Sequence, residues 1–226
     1  MGYAKQYGAY YYDGNEPEIH QGAGGLYDYT VYIGKHDRIC VDIGESLIWL
    51  GHCSDLSWDS ANPHKINSAY WTSGNDENEI MESTAMAVLF YGYQCGHKMT
   101  SVDQRTNLPY VNGCSTRQIF PAERIGDPTL QMLHIPPHTS EQVHHIHATP
   151  RVVYVLSGWG WSEVGQAGNT ELTRLTPGMV CVLDPMCPHH FNTEESHLRV
   201  LPVHVYSSPP GGLEHNHPMR VGTIEV

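Results

Sequence analysis

Short runs of apolar and aromatic residues recur along the chain, separated by polar stretches and by glycine or proline. The most apolar of these runs lie at residues 29–34, 39–43, 47–51, 85–93, 130–135, 151–156, 179–183 and 199–206. Runs of this length, rich in β-branched and aromatic side chains and bounded by turn-forming residues, predict β-strands. Many short strands at such spacing are typical of a sandwich or barrel. The pattern therefore predicts an all-β protein.

Helical periodicity is weak throughout, and residues 76–86 are the best candidate for a short helix. A polar stretch rich in Asn, Ser and Glu runs from residue 60 to 84 and predicts a long loop. The densest strand region follows residue 115, so we expect a domain boundary there. Residues 115–226 would form the main β-domain. Residues 1–114 would contribute additional strands that cover it, or form a degenerate second barrel.

The predicted strand at residues 151–157 is apolar on both of its faces. Successive side chains of a strand alternate between faces, so Val153 and Val155 lie on one side and Val152 and Tyr154 on the other. A strand that is apolar on both faces is normally covered on both. We expect the outer cover to come from the N-terminal half, from a partner subunit in a homodimer, or from both.

The balance of charge excludes several classes of partner. The chain has 24 acidic and 12 basic residues, which gives a formal net charge of −12. Nucleic acids and anionic membranes need a basic footprint, so neither is expected as a main partner. No apolar run approaches the roughly 20 residues of a membrane span, and the first residues contain no apolar signal region. The six cysteines are scattered without a CxxC pair and are expected to be reduced. We therefore expect a cytoplasmic protein that acts on a small molecule.

Histidine is unusually frequent and is concentrated in the second half of the chain. There are sixteen histidines, and nine of them fall between His134 and His204. In a strand, residues i and i+2 share a face, so His145 and His147 can bind one ion while His144 points away. Neutral imidazoles suit borderline divalent metals. An HxH pair alone is a weak signal, so the flanking sequence decides its interpretation.

The sequence around this pair resembles the two motifs of the cupin superfamily. The first cupin motif has an HxH pair, then a glutamate and a glycine, and residues 145–158 read HIHATPRVVYVLSG with Arg151 at the glutamate position. The second motif resembles residues 178–193, which read GMVCVLDPMCPHHFNT, with His189 at the position of the histidine ligand. Two motifs in the family's order and at the family's spacing make this resemblance fairly specific.

The resemblance covers roughly residues 115–210 and implies a jelly-roll β-barrel that binds a metal. It implies His145, His147 and His189 as the metal ligands. His190 remains the alternative third ligand, because a slip of one residue would bring it to the inner face instead. The proline directly before His189 favours His189, as many cupins carry a Val-Pro-His sequence here.

Arginine in place of the family's glutamate changes the expected site, because a guanidinium group cannot bind a cation. Three neutral imidazoles leave a divalent ion its full charge and open coordination positions for substrate, O2 or water. Iron(II) is expected first, since such a site is related to that of the two-His-one-carboxylate oxygenases, and nickel, copper, manganese or zinc also accept imidazole. Arg151 either points inward and binds a substrate carboxylate, or is turned outward by Thr149 and Pro150.

A second, partial resemblance concerns the strand after the third histidine. Residues 203–210 read VHVYSSPP and resemble the end of the thiol (cysteine) dioxygenases, a three-histidine group of cupins. His204 and Tyr206 would share one strand face, and the resemblance implies that they donate hydrogen bonds or protons near the metal. Pro202 replaces the serine of that family's pattern, so the hydroxyl that orients the histidine is missing here.

Together these features predict a metal-dependent cupin dioxygenase that acts on a small polar or anionic substrate with O2. The expected metal ligands are His145, His147 and His189, and the expected catalytic residues are Tyr206, His204 and Arg151. One alternative is a non-oxidative lyase, isomerase or hydrolase that uses the ion as a Lewis acid. Another is a protein that binds a metal or small ligand without turnover.

Overall fold

The structure is a computed structural model that describes residues 2–23, 25–36, 38–51, 66–74, 78–80, 84–124, 126–206 and 223–225. A short helix, α1 (Tyr3–Gln6), and a 3₁₀ turn (Val111–Gly113) accompany twenty strands in this part of the chain. In chain order the first strands are β1 (Ala9–Tyr12), β2 (Glu18–Ala23), β3 (Asp28–Ile33), β4 (Ile39–Val41), β5 (Glu45–Gly51), β6 (Ser68–Ser73), β7 (Asn78–Ile80), β8 (Thr84–Tyr91) and β9 (Lys98–Ser101).

The second half of the chain supplies the remaining strands. These are β10 (Leu108–Pro109), β11 (Ser115–Phe120), β12 (Thr129–Ile135), β13 (His145–His147), β14 (Arg151–Gly158), β15 (Gly160–Gln166), β16 (Asn169–Leu175), β17 (Val180–Leu183), β18 (His189–Asn192), β19 (Leu198–His204) and β20 (Thr223–Glu225). The predicted all-β class is confirmed. No helix of the described residues is long and apolar enough to cross a membrane.

The chain forms two compact units, one of which comprises residues 12–104. Its strands make a six-stranded antiparallel sheet in the order β2-β3-β8-β5-β6-β9 and a separate pair of β4 and β7. Buried side chains from both sheets, among them Val41, Leu47 and Leu89, pack into its core. These residues therefore have sheets and a core of their own.

The helix predicted at residues 76–86 is wrong for the part that is described. Residues 78–80 form β7, and Met86 lies inside β8. Every residue of β8 from Met86 to Phe90 is buried, whichever face of the strand it lies on. Since this strand runs between β3 and β5 in the middle of its sheet, it is apolar on both faces and lacks the alternating pattern by which a half-exposed strand is recognised.

The other unit comprises residues 1–11 and 105–226. One of its sheets has the order β1-β17-β14-β19-β12-β11-β10, and the other has the order β16-β15-β18-β13-β20. Buried side chains from the first sheet, such as Val153 and Val200, pack with Val164 and Phe191 of the second. Two antiparallel sheets closed over one core form the predicted jelly roll. The sequence predicts a boundary between residues 114 and 115, whereas these compact units divide at residues 104 and 105.

Strand β14 runs through the middle of the larger sheet, with β17 on one side and β19 on the other. Val153 and Val155 face the core, and Val152 and Tyr154 on the opposite face are buried as completely, with at most 2% of any of them exposed. The prediction that both faces of this strand are covered is therefore confirmed. The described cysteines of the chain are all free thiols.

Gly158, at the end of β14, is required by the backbone conformation and by a close approach. Its φ is +74°, and a Cβ atom at this position would overlap the carbonyl oxygen of His197. We expect Gly158→Ala to lower the free energy of unfolding by at least about 2 kcal/mol, because a left-handed alanine alone costs about 1–2 kcal/mol. Denaturant unfolding measures this loss.

Gly168 provides the matched control for this substitution. Its φ is +84°, and no atom lies within 4 Å of a Cβ added there. Gly168→Ala should therefore show the conformational cost without the overlap, and lose less stability than Gly158→Ala. Equal losses at the two positions would mean that the contact with His197 is unimportant.

Candidate metal centre

Three histidines from two neighbouring strands converge inside the second unit. His145 and His147 are the first and last residues of β13, and His145 lies directly opposite His189 in the pairing of β13 with β18. One ring nitrogen from each of the three lies within 4.8 Å of the others. The Nε2 atoms of His145 and His147 are 3.1 Å apart. Two ligands held about 2.1 Å from one ion at a right angle would be about 3.0 Å apart, so this spacing fits a metal.

The register of β18 decides between the two adjacent histidines. His189 is 3% exposed and belongs to the cluster of three. His190 faces the other side of the sheet, where its Nδ1 lies 2.9 Å from Nδ1 of His144 and its Nε2 lies 3.3 Å from Oε2 of Glu163. The alternation of the strand thus places His189 with the HxH pair and turns both neighbouring histidines away from it.

Backbone carbonyls fix the orientation of two of the rings. Nδ1 of His145 lies 2.9 Å from the carbonyl oxygen of Val143, and Nδ1 of His189 lies 2.8 Å from that of Cys187. A carbonyl oxygen only accepts, so each Nδ1 carries the hydrogen and donates it. The lone pair is then on Nε2, the nitrogen that points into the cluster. Hydrogen bonds of this kind hold metal-binding imidazoles in the correct tautomer and orientation.

Burial keeps the three rings neutral. It lowers the pKa of His145 to about 4, and it lowers the pKa values of His147 and His189 well below the ordinary value of 6.5. The positive charge of Arg151 acts in the same direction on all three. Because a metal competes with protons for imidazole nitrogen, these histidines are available as ligands at neutral pH. The cluster is therefore able to bind a divalent metal.

The cluster opens into a pocket with about 370 Å³ of empty space, counting the part open to solvent. Apolar side chains from both sheets form much of its wall, including Leu133, Phe191 and Val200. Its polar lining, besides His147 and His189, consists of Glu141, Gln142, Arg151 and His204. The pocket therefore has mainly apolar walls with a few polar side chains among them.

Arg151 points into this pocket, which decides between its two predicted orientations. It is 4% exposed and lies opposite His204 in the pairing of β14 with β19. Its Nη1 donates hydrogen bonds to the carbonyl oxygens of Thr149 and Pro150, at 3.1 and 3.2 Å, and to the Thr149 hydroxyl. Burial lowers its pKa to about 9, so the guanidinium remains charged at neutral pH. The motif's glutamate is therefore replaced by a cation inside the site.

The structure places the two residues of the late strand differently. His204 ends β19, lines the pocket and is almost completely buried, which lowers its pKa well below 6.5. Tyr206 lies beyond the strand, and its hydroxyl donates a hydrogen bond of 3.4 Å to the carbonyl oxygen of Ala148. That hydroxyl is near enough to Arg151 to raise the pKa of the guanidinium, but Tyr206 does not line the described pocket. Arg151 and His204 therefore line the same pocket as the histidine cluster, and Tyr206 does not.

Two polar residues of the pocket have no counterpart in the sequence prediction. Oε1 of Glu141 lies 3.9 Å from Nε2 of His145, and burial raises the pKa of this carboxyl to about 7. Gln142 donates a hydrogen bond from Nε2 to the Tyr110 hydroxyl, while its Oε1 is buried and has no hydrogen-bond partner among the described residues. Both residues precede β13 in a segment without regular structure. No motif or periodicity marks them, so the sequence alone gave no signal for either.

Burial of the histidines should make the metal-free protein sensitive to acid. The folded pKa of His145 lies below that of the unfolded chain, so the unfolded chain takes up a proton first as the pH falls. We expect the free energy of unfolding to fall as the pH drops from about 6.5 towards 4, with each unit of pKa difference worth about 1.4 kcal/mol per histidine. His147 and His189 act in the same direction. Thermal unfolding of metal-free protein between pH 7 and 5 measures this.

Glu141 has the opposite effect on the pH dependence of stability, because its pKa is raised in the folded protein. It favours the folded state at low pH, and that contribution is lost as the pH rises from about 4.5 to 7. One carboxyl group opposes three histidines, so the net effect should still be a loss of stability in acid. The variant His147→Gln should lose less on acidification than the wild-type chain. An identical loss in both would assign the acid sensitivity to groups outside the cluster.

Comparison with known proteins supports the fold and leaves the chemistry open. No family model matches the chain, and no curated protein matches it by sequence. A protein assigned as glyoxylate-induced from Pseudomonas aeruginosa is similar in structure, with a TM-score of 0.56 and 12% identity over 92% of each chain. Protein Ylba from E. coli has a TM-score of 0.54 and 8% identity, over 87% of this chain and 90% of that one. Vicilin from Corylus avellana has a TM-score of 0.50 and 7% identity, over 88% and 85%.

Identities this low show the fold alone. The neighbours have the cupin fold, and so does this chain, as the two motifs predict. The first two structures are covered almost completely by this chain, so the likeness extends to both units and not only to the one that carries the histidine cluster. The resemblance to thiol dioxygenases receives no support from these matches and stays a prediction.

Proposed function

We propose that this chain is a metal-dependent cupin enzyme that oxidises a small anionic substrate with O2, using an iron(II) ion held by His145, His147 and His189. The observation that carries the proposal is the convergence of three neutral imidazoles next to a buried cation, Arg151, in one small pocket. Bound iron would supply the electrons for reaction with O2 and open positions for substrate. The described side chains fit the metal in number, donor type and spacing.

Arg151 supports an anionic substrate. Among the side chains that the structure describes, no carboxylate lies within ion-pairing distance of it, and its Nη1 hydrogen bonds go to carbonyl and hydroxyl oxygens. A buried charge without a counter-ion is costly. A substrate carboxylate would offset this cost through two parallel N–H···O bonds, the arrangement that guanidinium groups favour. Arg151 would thereby orient the substrate towards the histidines.

His204 and Gln142 would contact other parts of the same substrate. His204 is a neutral imidazole beside Arg151, so one ring nitrogen can accept a hydrogen bond from a substrate hydroxyl, amine or thiol. The Oε1 of Gln142 is buried and has no partner in the described part of the chain, so it can accept a hydrogen bond from a substrate N–H or O–H group. The apolar wall keeps bulk water away, which strengthens each of these polar contacts. The pocket thus suits a small carboxylic acid with a second polar group.

One observation favours a second candidate, a lyase, isomerase or hydrolase in which the metal acts as a Lewis acid. Burial raises the pKa of Glu141 to about 7, the range in which a carboxyl group can both accept and donate a proton at neutral pH. Tyr206, which the resemblance to thiol dioxygenases implies as a donor to oxygen, does not line the described pocket. A reaction by proton transfer alone needs a carboxyl group such as that of Glu141, and it does not need a tyrosine hydroxyl that donates to bound oxygen.

Metal content and oxygen consumption separate these functions. The protein is purified without added metal and analysed for its metals, and oxygen uptake is then measured with small thiols, hydroxy acids and amino acids as substrates. The proposal expects iron, and oxygen uptake that depends on one class of carboxylate-bearing substrate. Zinc or nickel without oxygen uptake would overturn it in favour of the second candidate. Bound metal without any turnover would indicate a binding protein.

A further inference from the structure

The cupin resemblance assigns a carboxylate to the metal site, and this chain has none at that position. Arg151 stands there and adds a positive charge beside the ion. Among the described residues that line the pocket, Glu141 is the one carboxylate. Glu141 precedes the HxH pair in the sequence, whereas the family's glutamate follows it.

The backbone holds Glu141 next to the strands that carry the histidines. Its backbone N–H donates a 2.9 Å hydrogen bond to the carbonyl oxygen of Phe191, two residues after His189 in β18. A bridge between Ser140 and Asn192 continues the same antiparallel alignment. The position of Glu141 is thus fixed relative to His189 by strand pairing, the same kind of contact that fixes His145 opposite His189.

The Glu141 side chain is buried and lies close to His145, one of the three histidines, although the ligand atoms that lie within 4.8 Å of one another are those of the histidines alone. The side chain of Glu141 is 4% exposed, and Oε1 is 3.9 Å from Nε2 of His145. Two atoms that each lie about 2.1 Å from one ion are at most about 4.2 Å apart, so this separation allows both to bind the same metal. The terminal torsion of a glutamate is broad and soft, so the carboxylate can turn towards the ion at little cost.

We propose that Glu141 is the carboxylate ligand of the metal centre, taking the place of the motif glutamate that Arg151 replaces. This inference rests on the proposed function only in that it requires the three-histidine site to bind a metal. Glu141 then offsets one charge of the ion, while Arg151 remains free to bind an anionic substrate. A buried carboxylate is costly without a cation, and the metal supplies that cation.

Glu141→Gln tests this role, with cobalt(II) titrated into metal-free protein as the probe. The amide keeps the shape of the side chain and removes its charge. We expect the affinity for cobalt(II) to fall at least about tenfold, since even residues that only support a ligand change metal affinity by about 10–100-fold. The visible absorption of the bound cobalt should also change, because an anionic oxygen donor is replaced. Without metal, the wild-type protein and Glu141→Gln should unfold at similar temperatures. If Glu141 had a purely structural role, the substitution would lower the unfolding temperature.

Glu163→Gln is the matched control. Glu163 contacts His190 on the opposite face of the same sheet, so this variant should bind cobalt(II) with wild-type affinity and an unchanged spectrum. If Glu141→Gln fails to fold, Glu141→His carries the test, because it replaces an oxygen donor with a nitrogen donor. A cobalt spectrum identical to that of the wild-type protein would then exclude ligation.

The outcomes separate this inference from the proposed function. Wild-type affinity and an unchanged spectrum in Glu141→Gln, together with loss of cobalt in His147→Ala, would overturn the role of Glu141 and leave the three-histidine site intact. Absence of cobalt binding in the wild-type protein would overturn both. A weaker affinity with an altered spectrum in Glu141→Gln, against an unchanged control, supports the inference.

Discussion

His147→Ala is expected to abolish metal retention while the barrel stays folded. The substitution removes one of three nitrogen donors that lie within 4.8 Å of one another, so the ion loses a ligand and should not be retained through purification. The ring is buried but lies at the pocket and not within the apolar core, so its loss should cost little stability in metal-free protein. Elemental analysis gives the metal content, and circular dichroism reports the fold.

The neighbouring histidines provide controls in the same strands. His144→Ala and His190→Ala remove side chains that contact each other on the outer face of the sheet. Both variants should retain the wild-type amount of metal. If His147→Ala kept a full equivalent while His190→Ala lost it, the ion would lie on the other face, and the assignment of the three ligands would be wrong.

Arg151→Met is expected to remove most of the affinity of the metal-loaded protein for small carboxylates. Loss of one partner from a buried, hydrogen-bonded charge pair costs about 2–5 kcal/mol, or roughly 30-fold to several thousand-fold in affinity. Methionine fills similar space and removes a buried cation, so metal-free protein should be at least as stable as the wild type. Calorimetric titration with acetate and malonate measures the first effect, and thermal unfolding measures the second.

Two further variants show whether carboxylate binding depends on the planar geometry of the Arg151 guanidinium or on its positive charge alone. Arg151→Lys keeps a positive charge but loses the planar pair of donors, so it should recover little of the affinity. Arg174 stacks on Trp159, with its guanidinium 4.6 Å from the ring centre, and does not line the pocket. Arg174→Met should therefore leave carboxylate binding unchanged. Carboxylate affinity that survives in Arg151→Met would show that anions bind elsewhere.

Much of the metal centre could be predicted from the sequence because it depends on local alternation. His145 and His147 are two residues apart on one strand, so they share a face wherever that strand lies. The choice of His189 over His190 depended on the proline before it and on the spacing of the motifs. Strand pairing brings His189, and not His190, to the HxH pair, since His189 lies opposite His145.

Other parts of the site depend on contacts that a local pattern does not contain. Glu141 lies in an irregular segment, and its burial results from pairing with Phe191, fifty positions along the chain. The sequence predicts that Tyr206 shares a strand face with His204, but β19 ends at His204, so the alternation does not extend to Tyr206. The orientation of Arg151 likewise depends on the sheet around it, because Thr149 and Pro150 accept its hydrogen bonds and hold it inward.

Strand β13 is only three residues long, and His145 opposite His189 is its one paired position with β18. A metal bound to both strands would therefore join them more firmly than their backbone hydrogen bonds do, as a covalent cross-link joins distant parts of a chain. Amide hydrogen exchange in β13 would then be slow in the metal-loaded protein and fast after chelation, because separation of the strands would first require release of the ion. In a metal-loaded protein, the same coupling would link release of the ion to the opening of this short strand.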